Sequence, residues 1–220
     1  MNLPVLSVAF VTVAHHPADP ELALTSVDGA ALITHTVRGL LGTPDLGLVV
    51  VPAPERCAKS FSEALRGLPC RVLPGATLRQ AFAAVERSPG LSPDAVVLVH
   101  DALRAFAPHR TVRRVQDAVR DGASIAVPVL PMSDTVKTTS PDGVVTATVD
   151  RDGLRSAQTP IGFSVPAFRS ALAATADPGL ADVAGATTVP GDPDAMRVAS
   201  AFELTLAEAL VAGRDREDPL

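Results

Sequence analysis

The chain has 220 residues, 47% of them hydrophobic and 20% charged, with a formal net charge of −5. This composition argues against disorder, and the acidic balance argues against the basic surface that non-specific nucleic-acid binding needs. No apolar run approaches the roughly 20 residues that span a bilayer, and without Trp or Tyr the stacking platforms for single-stranded nucleic acid are missing too.

In chain order, the apolar stretch Val5 to Val13 reads as a first buried strand; the opening residues have neither the basic start nor the small-residue cleavage site of a signal peptide. Asp28 to Leu41 has helical spacing, with Leu32, Ile33, Val37 and Leu40 on one face and Gly42 as a stop. A second strand is expected over Leu46 to Val51 and a second helix over Thr77 to Arg87. Ala95 to Val99 is a third continuous apolar run, Thr111 to Arg120 a helix, and Ala123 to Val129 a fourth strand. Continuous rather than alternating apolar runs mark strands covered on both faces, as in a parallel sheet. Residues 137–157 break the rhythm: VVTATV alternates beside an Asp-Gly turn signal, which reads as an antiparallel arm. Exposed strand edges on such an arm are commonly covered by a partner subunit, so a homodimer is expected, the alternative being a hairpin folded on its own domain. The last helix is expected over Ala201 to Ala212, ending at Gly213.

Strands alternating with helices predict one α/β domain over residues 1–220, with a Rossmann-like, doubly wound and mostly parallel sheet. Cys57 and Cys70 show no metal or disulfide spacing, which fits a reduced, cytoplasmic setting. Asp101 directly follows an apolar strand, at the carboxyl edge where open α/β sheets bind ligands. A carboxylate there suits a hard cation such as Mg²⁺; the alternative is a loop or capping residue. His15 and His16 are adjacent, and they read either as a weak ligand pair or as a partly exposed loop.

Four segments carry a family resemblance: VVLVHDALRAFAP (Val96 to Pro108), VPVLPMSDTVK (Val127 to Lys137), TVDRDGLRSAQTPIGF (Thr148 to Phe163) and GDPDAMRV (Gly191 to Val198). In order and spacing they resemble the 2-C-methyl-D-erythritol 4-phosphate cytidylyltransferases. The resemblance implies a fold of the nucleotide-diphospho-sugar transferase type and Mg²⁺-dependent transfer of CMP from CTP to the sugar-alcohol phosphate, in isoprenoid precursor synthesis. It implies Asp101 and Arg197 as catalytic residues, and Gly75, Arg79 and Asp101 at the nucleotide. Thr135, Arg151 and Thr159 would hold the substrate phosphate, Arg151 reaching in from the partner's arm. Asp101 and Asp194 would be the metal carboxylates, and Arg104 would stabilise the loop after the strand. Arginine suits a phosphate because its planar fork donates paired hydrogen bonds; for Arg151 and Arg155 the alternative is a solvated arm.

The sequence also departs from the family pattern. After the first strand the family has a glycine-rich loop with Arg and Lys, whose backbone donors and cations meet the triphosphate. Here that stretch is VAHHPADPELALTSVDGAAL, with no glycine before Gly29, no arginine before Arg38 and no lysine. Pro17 and Pro20 each remove a backbone donor. Phe82 stands where a serine would meet the base, Arg197 replaces a lysine, and Asp177 or Asp182 is left to stand in for a shortened acidic segment. These changes predict an impaired triphosphate site, or, as the alternative, a catalytically inactive dimeric paralogue acting as a binding or regulatory module.

Overall fold

Strand β1 (Val5–Thr12) lies in the centre of the main sheet, in the computed structural model that describes residues 5–13, 18–87, 91–175, 177–180 and 183–217. Its side chains alternate between two cores. Ala9 and Val11 point to one face, Val8 and Phe10 to the other, and all four are fully buried. Apolar residues at every position are what a strand covered on both faces requires.

The chain continues through the short helix α1 (Asp19–Leu22) and a two-residue-per-strand hairpin, β2 (Ser26–Val27) and β3 (Ala30–Ala31). Helix α2 (Leu32–Leu41) follows, so the helix expected from Asp28 begins four residues later. The reason is local. Asp28 (φ 48°) and Gly29 (φ 74°) form a turn with both central residues left-handed, the geometry that Asp-Gly favours in a hairpin.

Next come β4 (Leu48–Ala53), α3 (Ala58–Ala64), β5 (Cys70–Pro74), α4 (Leu78–Glu86) and β6 (Leu91–Asp101). Helix α4 starts with a capping box between Thr77 and Gln80, which satisfies two otherwise orphaned donors. After α5 (His109–Arg120) and β7 (Ile125–Pro131), the strands β8 (Lys137–Thr139) and β9 (Val145–Thr148) pair only with each other. The chain then forms β10 (Arg155–Ala157), β11 (Ile161–Ser164), α6 (Val165–Ala174), β12 (Thr187–Pro190) and α7 (Ala201–Glu217). Helix α7 runs through Gly213 rather than stopping there.

The main sheet places β5, β4, β1 and β6 side by side in parallel. Antiparallel β11 lies between β6 and β7, and β12 joins β7 in parallel on the far side. Helices α2, α3, α5 and α7 contribute to one apolar cluster, α4 and α6 to the other. This is the doubly wound, mostly parallel architecture that the apolar runs imply. The free hairpin is narrower than the expected 137–157 arm, because Arg155–Ala157 pairs back onto β7. No described helix is long and apolar enough to cross a membrane.

Candidate active site

Every parallel strand of the sheet's centre delivers its carboxyl end to one edge, and Asp101 is the last residue of β6 there, opposite Thr12 of β1. Its side chain is only 3% exposed, and both oxygens are engaged. Oδ1 accepts from the Leu103 backbone N–H at 3.0 Å, while Oδ2 accepts from Arg197 Nε at 2.7 Å. The same guanidinium donates through Nη2 to Asp19 Oδ2 at 2.6 Å, and the Asp19 side chain is 1% exposed. Arg197 therefore bridges two buried carboxylates. Burial alone would weaken its protonation, but the hydrogen bonds and charges of Asp19 and Asp101 outweigh it and raise the pKa.

Behind Asp101 the strand end is tied down by a buried polar chain. The Asp101 backbone N–H donates to Thr159 Oγ1 at 3.0 Å, and that hydroxyl lies 3.0 Å from His100 Nδ1. His100 Nε2 lies 3.2 Å from the Arg104 carbonyl, which can only accept. The proton of the ring therefore sits on Nε2, and Thr159 donates to Nδ1. Burial lowers the His100 pKa from 6.5 to about 4, against the pull of Asp101, so the ring is neutral at pH 7. Arg104 donates to the carbonyls of Ala195 (2.6 Å) and Ala157 (3.3 Å), which ties three chain segments together. Its burial lowers its pKa, with Asp101 opposing. Gln158 pairs with Asp192 through both amide atoms, and Asp192 in turn accepts from Arg110 Nε at 2.7 Å. A Cβ on Gly191 would meet the Gln158 side chain, and the Val129 carbonyl at 3.0 Å. Only glycine lets these strands close.

Beside Asp101, a cleft of about 410 Å³ opens at the ends of β1, β4 and β5. Thr12 both lines this cleft and is the register partner of Asp101, so the two are contiguous. Pro52, Pro54 and Leu78 give it apolar walls, with the exposed carboxylates Glu55 and Asp177 among its lining residues. Such a slot fits a flat ring that carries a hydrogen-bond donor. Gly75 lines it with φ 63°, and a Cβ there would lie 2.7 Å from Glu55 Oε2. The left-handed backbone conformation strains any side chain at this position, while Glu55 alone would have to move aside.

The other sequence candidates fall elsewhere. Arg79 is turned to the end of α6, donating to the carbonyls of Leu172 and Thr175. Phe82, placed by its motif at the base, does not line the cleft. It is buried between Phe10 and Phe168, with ring centroids 6.1 and 4.8 Å away. Asp194 lines a separate cleft of about 800 Å³ beside α2, α5 and α7, with Arg38, His109 and Arg110. Thr135 and Arg151 are exposed, and Arg151 donates to the Ser133 carbonyl of its own chain. Arg155 caps local carbonyls at 2.8 Å. Of the two lysines, Lys137 donates to Thr148 within the hairpin and Lys59 is on α3, so neither lines the cleft. His15, His16, Pro17 and Asp182 lie outside the described residues.

Sequence reasoning did not single out Asp19. Its signal was slight, an acidic residue before Pro20 that reads as a helix cap; instead Ala18 holds the cap position and the carboxylate turns inward. Among the described residues no cluster of three His, Cys, Asp or Glu side chains could hold a metal. Mg²⁺, however, commonly takes one or two carboxylates plus substrate phosphates. The Asp101 carboxylate keeps a second lone pair on each oxygen, so the residues fit an ion that arrives on a nucleotide.

Residues 16–213 match the family model for IspD, 2-C-methyl-D-erythritol 4-phosphate cytidylyltransferase. The chain is 43% identical over 205 residues to the protein of that name from Saccharopolyspora erythraea, covering 86% of this chain and 90% of the relative. It is 37% identical over 207 residues to that of Frankia casuarinae, covering 89% and 76%. Its fold superposes on the cytidylyltransferase from Thermus thermophilus with a TM-score of 0.72 at 28% identity, covering 94% of this chain and 98% of the other.

Proposed function

This chain belongs to the 2-C-methyl-D-erythritol 4-phosphate cytidylyltransferase family, and from that premise we propose that it transfers CMP from CTP to 2-C-methyl-D-erythritol 4-phosphate. The observation that carries the reading is the Asp101–Arg197 ion pair, its carboxylate buried, standing beside the cleft at the ends of β1, β4 and β5. In this reading the cleft takes the cytosine ring, whose exocyclic amine suits the acidic rim. Gly75 lets the backbone approach the ring closely. An oxygen of the acceptor phosphate attacks the α-phosphorus of CTP, the bond to the bridging oxygen breaks, and pyrophosphate leaves. Both nucleophile and leaving group are phosphate oxygens, so no covalent enzyme intermediate is required. The protein's work is positioning and charge stabilisation.

Asp101 would hold Mg²⁺, which would supply positive charge against that of the triphosphate. Arg197 faces the charge that develops at the α-phosphate. Arg151 and Thr135 take the acceptor phosphate, and Thr159 contributes by fixing the Asp101 backbone. Arg79 reaches the nucleotide only by leaving its carbonyls on α6, and Asp194 belongs to the metal only if the last segment shifts. A cytoplasmic homodimer held through the hairpin completes the reading. Val144 (63% exposed) and Val145 (58% exposed) form its uncovered apolar pair.

Turnover is slow in this proposal, because the stretch after β1 has no glycine before Gly29, no arginine before Arg38 and no lysine, while Asp19 adds a negative charge. The same observation favours a second reading, a non-catalytic dimeric paralogue that binds ligand without transfer. Pyrophosphate release from CTP, Mg²⁺ and the methylerythritol phosphate separates them. Acceptor-dependent release supports transfer, and none at micromolar enzyme sinks it.

A further inference from the structure

The Arg197 guanidinium has five N–H donors, and two of them make short contacts to carboxylates on different chain segments, Asp101 at 2.7 Å and Asp19 at 2.6 Å. The three bonded side chains together carry −1, and the Arg104 guanidinium nearby, which acts on both Asp101 and Arg197, offsets part of it. For a site that must receive a triphosphate, two buried carboxylates on its arginine work against the ligand's charge. In place of loop cations, the chain supplies a carboxylate 1% exposed, aimed at the arginine that also holds Asp101. Arg197 itself is 27% exposed, so it is the member of the three that an entering anion meets.

We propose that Asp19 is an internal counter-anion: its carboxylate holds the place on Arg197 that a triphosphate oxygen takes when nucleotide binds, and so sets the nucleotide affinity of this chain. The inference rests on the nucleotide-transfer reading of the site and deepens it. Three points support it. A carboxylate oxygen and a phosphate oxygen are interchangeable partners for a guanidinium, both taking short charge-assisted bonds. Breaking the Arg197–Asp19 contact gives up a short charge-assisted bond at 2.6 Å, so exchange is favourable only when an anion arrives to replace it. A cation accompanying that anion would also relieve the carboxylate that Arg197 leaves. The Asp101 contact uses a different nitrogen, Nε, and is retained through the exchange.

Asp19 acts here through Arg197, as a positioning residue. A merely structural role for the ion pair predicts that Asp19→Asn lowers thermal stability and leaves nucleotide affinity unchanged or weaker. The counter-anion role predicts the opposite sign. Removing one unit charge several ångströms from the phosphates at a partly exposed site strengthens binding by about tenfold.

The experiment is calorimetric titration of CTP with excess Mg²⁺ into the full chain and into Asp19→Asn, with thermal unfolding of both. Binding at least fivefold tighter in the variant supports the inference, as does binding seen only in the variant. Equal or weaker binding, or none in either, overturns it. If Asp19→Asn does not fold, the structure of the unaltered chain with magnesium and inorganic triphosphate decides. Arg197 moved from Asp19 onto a phosphate oxygen supports the exchange, and Arg197 still bridging both carboxylates refutes it. Pyrophosphate release, measured on both proteins, keeps the two claims apart. A gain of affinity without turnover ends the transfer reading alone. Turnover in the unaltered chain without that gain ends the counter-anion alone.

Discussion

The Asp101 corner and the β8–β9 hairpin both carry polar side chains, yet these are held by opposite means. In the corner, Asp101, His100, Thr159, Gln158 and Asp192 are buried, and beside a few local contacts each has a partner 34 to 96 residues away along the chain. Moving one of these groups disturbs several strands. In the hairpin every residue of β8 and β9 is exposed, and Lys137, Thr138 and Ser140 bond within eleven positions of themselves. Such contacts are worth little in stability. The corner is thus preorganised by the fold, while the hairpin's residues acquire a fixed setting only from something outside their own hairpin.

The sharpest way to break this contrast is Asp101→Asn. It should reduce Mg²⁺-dependent pyrophosphate release by about 100-fold or more, the order seen when a preorganised charge-stabilising group is lost; unchanged release refutes the role. Next is Gly191→Ala, which forces a methyl against Gln158 and the Val129 carbonyl. A loss of about 2–3 kcal/mol in denaturant unfolding is expected, typical of overpacking in a closed site.

The third test is acid. His100 has a folded pKa of about 4 against 6.5 when free, so the unfolded chain takes up the proton first. Its contribution is fully present above pH 6.5 and is lost as pH falls from 6.5 through 4, by roughly 3 kcal/mol. Unfolding curves across that window should show the decline, and His100→Gln should flatten it. The smallest effect belongs to the hairpin. Arg151→Ala should raise the KM for the acceptor phosphate about tenfold, the worth of one exposed charge-assisted contact, and change stability by less than about 0.5 kcal/mol. A drop in stability comparable to that of Gly191→Ala would erase the distinction between the two regions.

The same division explains what could be read from the sequence. β1, β4, β6 and β7 were legible because strands covered on both faces are apolar without interruption, as in Val8 to Val11. Edge strand β5 (Cys70–Pro74) was not, since its half-covered pattern leaves Arg71 outside. Asp28–Gly29 carried a hairpin cue, but the helical spacing that follows hid it. Asp101 could be placed because it ends a continuous apolar run. Its partnership with Arg197, and Arg197's with Asp19, spans 96 and 178 positions, and no local pattern encodes such a meeting. Phe82 shows the converse error. Its motif position suggested the base, but one helical turn carried it from the cleft, where Leu78 sits, into the aromatic cluster around Phe168.

The ladder between β7 and β10, which pairs Val129 with Ala157 and Pro131 with Arg155, pins both roots of the excursion that carries the hairpin. The intervening stretch is therefore a loop whose ends are already brought together. Lengthening it at the Asp142–Gly143 tip adds only the slow logarithmic penalty of a longer tether, about 0.6 kcal/mol for each doubling. That tip is where this chain can carry a grafted peptide, a tag or a guest module while its sheet folds undisturbed.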